Sequence, residues 1–169
     1  QRIMIAVSLA ADPRVLIADE PTTALDVTIQ AQIIDLLLEL RKKRNLAVVF
    51  ISHDLALIGS IADRLIVMYA GLVAETGPAE AVLSRSHHPY SRALLDSHPH
   101  LGDHYTEKTL ATIPGTIPDP HHPEPGCPFE PRCKYARTEC RLKVPPLLDA
   151  EGTPPGTHQY RCVVKGVKE

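Results

Sequence analysis

The chain has 169 residues, with 18 Lys and Arg against 20 Asp and Glu, a formal charge of -2, and nine His. Hydrophobic residues make up 44% and charged residues 22%, which is enough apolar material for a core and too little charge for a disordered tail. The near balance of charge excludes a polyelectrolyte surface for nucleic acid. No apolar stretch approaches the ~20 residues of a membrane span, because the longest helical pattern carries Asp35 and Glu39. Five Tyr, two Phe and no Trp predict an aliphatic core. The opening Gln1-Arg2-Ile3 lacks an initiator Met and a secretory pattern, so the expectation is a piece of a longer cytoplasmic polypeptide.

In chain order, Ile3 to Ala10 predicts a short helix ending before Asp12-Pro13, and Val15-Leu16-Ile17-Ala18 a strand buried on both faces. From Val27 to Arg44, Ile33, Leu36, Leu37 and Leu40 recur at helical spacing, with Gln32, Asp35, Glu39, Lys42 and Lys43 opposite and Asp26 placed to cap the start. Leu46 to Ile51 is a second apolar run, so strand, helix and strand make a parallel βαβ unit. Leu65 to Tyr69, turning near Gly71 into Leu72 to Glu75, predicts an antiparallel edge hairpin. The expected sheet is mixed and mostly parallel, with helices against it. Short helices are expected at Gly77 to Leu83 and after His88-Pro89. Eleven of the sixteen prolines and all four cysteines lie at or after Pro114, which places a compositional boundary between Leu83 and Tyr90 and gives two regions, 1–86 and 87–169.

Asp19, Glu20 and His53 fall at the carboxyl ends of the two predicted parallel strands, where open α/β sheets present ligand-binding groups. An acidic pair closing a buried strand suits phosphoryl transfer, one carboxylate supporting a Mg²⁺ shell and the other facing water and the terminal phosphate. A solvated acidic strand end is the plain alternative. In the tail, Cys127, Cys133, Cys140 and Cys162 have five, six and twenty-one residues between successive members, among proline-rich turns that can bury little apolar surface. In a cytosolic chain this argues against paired disulfides and leaves an iron–sulfur cluster, zinc or unligated thiols. Arg132 and Lys134 flank Cys133 and are expected to offset thiolate charge, whereas His121, His122 and His158 read as solvated histidines that could also replace a ligand.

The segment Ala18-Asp19-Glu20-Pro21-Thr22-Thr23-Ala24-Leu25-Asp26, followed one βα unit later by Ile51-Ser52-His53-Asp54, resembles the ATP-binding-cassette ATPases. Gln1-Arg2 is similar to the end of that family's signature sequence. The resemblance implies a P-loop cassette core, α/β in class, followed by an extension. Asp19 would be the Walker B carboxylate for Mg²⁺, Glu20 the general base, Asp26 the end of the dimer-communicating loop, and His53 the switch histidine at the γ-phosphate. The phosphate-cradling G-x-x-x-x-G-K-[ST] loop does not occur in the 169 residues, so this chain alone is expected not to hydrolyse ATP.

His88-Pro89-Tyr90, Ile113-Pro114-Gly115-Thr116-Ile117-Pro118 and the Gly126-Cys127-Pro128-Phe129 segment running to Pro131-Arg132-Cys133 resemble the carboxyl-terminal extension of dipeptide and oligopeptide importer ATPases, D-type subunits. That implies ATP and Mg²⁺ as cofactors, and a [4Fe–4S] cluster on the Cys quartet with Zn²⁺ as alternative. The implied partners are a second, paralogous ATPase subunit, two transmembrane permease subunits and an extracytoplasmic peptide-binding protein, on the cytoplasmic face of the inner membrane. Another solute such as nickel, or a non-catalytic metal-binding or protein-interaction module, are the competing functions.

Overall fold

In a computed structural model the described residues are 2–23, 25–97, 112–119, 121 and 124–164. Gln1, Ala24 and His122 of the motifs above lie outside them. The chain divides into two compact units, Gln1–Ile61 and Ala62–Glu169, so the compositional boundary near residue 86 falls inside the second.

In the first unit, α1 (Arg2–Leu9) precedes β1 (Val15–Asp19), α2 (Val27–Arg44), β2 (Ala47–Ile51) and α3 (Leu55–Ile61). β1 and β2 pair in parallel, Val15 opposite Ala47 through Asp19 opposite Ile51, as the βαβ pattern predicts. The Asp26 carboxylate caps α2 by accepting the Ile29 N–H at 2.9 Å, satisfying an amide that has no carbonyl partner within the helix. At the other end Asn45 adopts the left-handed conformation, φ 48°, which asparagine tolerates. Ile33 and Leu37 of α2 pack with Leu9, Leu16 and Leu46 as the core, while Gln32, Asp35, Glu39, Lys42 and Lys43 are exposed.

The strands are not buried on both faces. Leu16 and Ala18 are buried, but Val15, Ile17, Val49 and Ile51 are exposed, Ile17 by 67%. In a strand successive side chains point to opposite faces. The core cluster engages one of them, and the side carrying Ile17 has no such cover among the described residues.

In the second unit β3 (Arg64–Tyr69) and β4 (Leu72–Pro78) form the hairpin, turning through Ala70 and Gly71, both at positive φ, the requirement of a tight type I′ connection. α4 (Ala79–Ser84) and α5 (Pro89–Asp96) follow, then a 3-10 turn (Glu130–Arg132), α6 (Thr138–Leu142), β5 (Leu148–Asp149) and β6 (Gln159–Tyr160). The sheet order is β3-β4-β6-β5, antiparallel throughout. Thus β3 is an edge strand but β4 is not: its outer backbone is taken by the tail, Glu75 opposite Tyr160. The described strands form a parallel pair and a larger antiparallel sheet rather than one mostly parallel sheet. Three aromatic rings, Tyr69, Tyr90 and Phe129, meet with centroids 4.6–5.3 Å apart and join the hairpin, α5 and the cysteine-bearing loop. The aromatic rings therefore join the tail to the hairpin, while the core of the first unit is an aliphatic cluster.

Candidate functional site

Two groups of chemistry-bearing residues are assembled, one in each unit. In the first, Glu20 follows β1 directly and sits at φ 43°, a left-handed conformation that costs a non-glycine residue of order 1 kcal/mol. Its N–H bonds to the Ile51 carbonyl at 2.9 Å, extending the strand pairing by one residue and fixing Glu20 beside the loop that starts at Ser52. That brings His53 Nδ1 to 3.0 Å from Glu20 Oε1, and the Thr23 hydroxyl donates to Oε2 at 2.8 Å. Hydrogen bonds from His53 and then Thr23 hold the Glu20 carboxyl below its usual range, favouring the ionised form.

An ionised carboxylate only accepts, so Nδ1 of His53 carries the donated proton and Nε2 is a donor only in the imidazolium. Both side chains lie on an open surface, His53 at 78% and Glu20 at 44% exposure. Asp19 is exposed at the end of β1. Asp26 is a helix cap seven residues farther on. The sequence reading brought Glu20 and His53 to the same edge but gave no role to Thr23. Its place three residues beyond Glu20 in a turn, with the Thr23 N–H on the Glu20 carbonyl at 3.2 Å, is the signal that could have found it.

In the second unit Cys127, Cys133, Cys140 and Cys162 line a single cavity together with His88, Phe129, Glu130 and Tyr135. All four are free cysteines. Burial pushes the Cys127 and Cys133 thiols up, and that of Cys162 up to about 11. Among the described residues no group of three or more His, Cys, Asp or Glu side chains is placed to hold a metal ion. The thiols share a cavity without forming a closed single-ion site.

Two expectations for their neighbours are corrected. Arg132 does not face the thiols. Its guanidinium donates to the Pro114 carbonyl at 2.7 Å, the Ile113 carbonyl at 2.9 Å and the Tyr69 hydroxyl at 3.2 Å, because carbonyls of an extended proline segment satisfy its fork. The Lys134 ammonium lies 5.1 Å from the Tyr135 ring centre.

His158 is not solvated but 2% exposed, its Nε2 2.8 Å from Oε1 of Glu75, which is wholly buried. Glu75 also accepts the His87 and His88 N–H groups at 2.8 and 3.0 Å. This hub is invisible in sequence, since its members lie up to 83 residues apart. His121 is exposed, as read.

Residues 74–140 match the model of the family described as oligopeptide/dipeptide transporter, C-terminal region. The chain is 47% identical to a Brucella abortus (strain 2308) protein named for peptide import and ATP binding, over 97% of this chain and 50% of that protein. It is 52% identical to the dipeptide transport ATP-binding protein DppD of Escherichia coli (strain K12), over 87% of this chain and 44% of the relative. With the oligopeptide transport ATP-binding protein OppD of Haemophilus influenzae (strain ATCC 51907 / DSM 11121 / KW20 / Rd) it shares 49% over 84% and 43%. A solved structure, cbiO1 from Clostridium perfringens, part of the ABC transporter complex cbiONQ, overlaps 49% of this chain and 33% of its own at 34% identity and a TM-score of 0.46, too small an overlap to carry an argument. The chain spans about half the length of the curated relatives it matches. Residues 74–140 thus belong to the oligopeptide/dipeptide transporter C-terminal region, and the chain as a whole is a relative of the peptide- and dipeptide-import ATP-binding proteins.

Proposed function

We propose that this chain is the carboxyl-terminal part of an ATP-hydrolysing subunit that energises import of dipeptides or oligopeptides through an ATP-binding-cassette transporter. The observation that carries the reading is the Glu20–His53 contact at the carboxyl ends of two paired parallel strands, in a chain whose relatives are peptide-import ATP-binding proteins. Asp19 is the residue to hold Mg²⁺, which when bound with ATP neutralises charge on the transferring phosphoryl group. Glu20, kept ionised by its two hydrogen bonds, orients and deprotonates the attacking water. That water bonds to a remaining lone pair of a Glu20 oxygen, since His53 and Thr23 take one on each. His53, released from Glu20, can turn a ring N–H to the phosphate. The uncovered face bearing Val15, Ile17, Val49 and Ile51 is suited to packing against the part of the relatives that this chain does not span.

For the tail the reading is a [4Fe–4S] cluster on Cys127, Cys133, Cys140 and Cys162, where it would supply a rigid crosslink. Four thiols around one cavity are the right donors. A paralogous ATPase subunit, two permease subunits and an extracytoplasmic binding protein complete the proposed assembly, peripheral on the cytoplasmic face of the inner membrane. No helix among the described residues is long and apolar enough to cross a membrane.

The test is ATP hydrolysis by the full polypeptide that carries this segment behind a phosphate-binding loop. Glu20→Gln is expected to lower kcat by about 10²–10⁴, and the present chain alone to show no hydrolysis above its own Glu20→Gln control. Unchanged turnover in the full-length variant refutes the assignment.

A further inference from the structure

The four cysteines are held by two different pieces of backbone. Residues 126–141 close on themselves: the Cys127 N–H bonds to the Cys140 carbonyl at 2.7 Å, Glu130 N–H to the Cys127 carbonyl at 2.9 Å, Cys133 N–H to the Glu130 carbonyl at 3.1 Å, and Cys140 N–H to the Arg137 carbonyl at 2.9 Å. Arg141 Nε adds a bond to Glu130 Oε1 at 2.7 Å across the ring so formed. The closure is tight enough that a Cβ on Gly126 would stand 2.3 Å from the Cys140 carbonyl oxygen.

Cys162 is positioned from elsewhere. Its neighbour Arg161 bonds through its N–H to the Ala74 carbonyl at 2.8 Å, and through its guanidinium to the carbonyls of Val73 at 2.9 Å and Pro145 at 2.8 Å. Two residues earlier Tyr160 lies in the sheet opposite Glu75. The two pieces meet at the cavity and through apolar packing of Tyr135 near Cys162.

A backbone amide already faces the Cys162 sulfur. Val164 N–H lies 3.3 Å from Cys162 Sγ. Such donors favour thiolates and tune a bound centre. Loops of five and six residues bring the first three thiols together, whereas twenty-one residues separate Cys140 from Cys162, and closure becomes costlier with loop length.

We propose that the thiols are unequal: Cys127, Cys133 and Cys140 form a locally folded cup that retains a metal centre by itself, and Cys162 is a detachable fourth ligand through which that centre clamps the last strand to the cup. This rests on the cluster reading of the tail and goes beyond it in dividing the ligands. Loss of Cys162 then frees the 159–164 segment without emptying the site, while loss of any cup cysteine empties it.

The experiment is iron and acid-labile sulfide per chain, with electron paramagnetic resonance, on protein purified without oxygen and on Cys127→Ser, Cys133→Ser, Cys140→Ser and Cys162→Ser. Wild-type protein is expected to hold about four of each. Cys162→Ser is expected to keep about three iron and to show a three-iron signal, and each cup variant to fall below about a tenth of wild type, as a site losing one of three anchors would. Equal retention in Cys162→Ser and Cys133→Ser, or retention by Cys133→Ser alone, overturns the division.

A second measurement avoids any folding defect of the variant. Wild-type protein is oxidised with ferricyanide until one iron is released, and the freed thiol is alkylated and mapped by mass spectrometry. Label on Cys162 is expected, and label on Cys127, Cys133 or Cys140 overturns the proposal. Wild-type protein without iron overturns the cluster reading and this division together, whereas the other adverse outcomes overturn the division alone.

Discussion

Replacing Glu75 by Ala is expected to destabilise the second unit more than any surface change. The carboxylate is fully buried and accepts three hydrogen bonds, from His158 Nε2 and from the His87 and His88 amides. An orphaned buried donor costs about 1–3 kcal/mol, so three would sum to more than the neighbours will bear without relaxing. The loss expected is about 3–5 kcal/mol, the range for breaking a buried pair from one side. Against total stabilities of about 5–15 kcal/mol that is a large fraction. Glu75→Gln, which keeps one accepting oxygen but turns an amide N–H₂ toward a donor, is expected to fall between wild type and Ala. Urea unfolding followed by near-UV circular dichroism reports on this unit, since Tyr69, Tyr90 and Tyr160 are packed in it. A Glu75→Ala loss below about 1 kcal/mol, the scale of an exposed pair, would refute the claim that the hub holds the tail to β4.

Two further outcomes follow from named contacts. Burial holds the His88 imidazole down at about 4 against an ordinary 6.5, so the folded state keeps it neutral while the unfolded chain takes up a proton as pH falls below 6.5. Its contribution to stability is intact above that pH and is lost between 6.5 and 4, by up to about 3 kcal/mol. His87, also lowered by burial, adds in the same direction, and His88→Asn, which can still cap α5, is expected to flatten the unfolding-versus-pH profile; an unchanged slope would count against the assignment. Gly126→Ala places a methyl group 2.3 Å from the Cys140 carbonyl oxygen and 2.7 Å from Arg141 backbone atoms, none of which can swing aside. A loss of about 1–3 kcal/mol and a reduced iron content are expected, and wild-type values for both would show that the 126–141 closure is loose.

The first unit was legible because its determinants are local. Apolar period, the Asp26 cap and short connections each specify a parallel pair with one helix, and α2, β1 and β2 follow them within a residue or two. What the pattern could not reveal is which strand face is covered. A run such as Val15-Leu16-Ile17-Ala18 is apolar at every position, and alternation appears only when one side meets α2. The antiparallel sheet was half legible: Ala70-Gly71 marks the hairpin, but β6 is two residues long, Gln159–Tyr160, and carries no period. Its place beside β4 is fixed by Glu75 and Arg161 contacts made across more than 80 residues. For the same reason Arg132, His158 and Glu75 were misjudged or missed, since charge near a cysteine in sequence says nothing about which carbonyl or carboxylate lies nearer in space.

Glu20 draws its proposed role from a geometry that also restrains it. The residue leaves β1 in a left-handed conformation that the Ile51 carbonyl holds from the neighbouring strand, so its backbone is set by the sheet rather than by the loop. Its carboxylate has one oxygen on His53 and the other on Thr23, which together keep it ionised and leave a further lone pair on each oxygen for water. A base built this way is ready in charge and still open to water. A His53 N–H reaches the phosphate only when the His53 bond opens as nucleotide and Mg²⁺ arrive, and that bond is exposed enough to exchange with water at little cost. The sheet supplies the rigid placement and the surface turn supplies the release, a division that follows from Glu20 being the first residue beyond the strand.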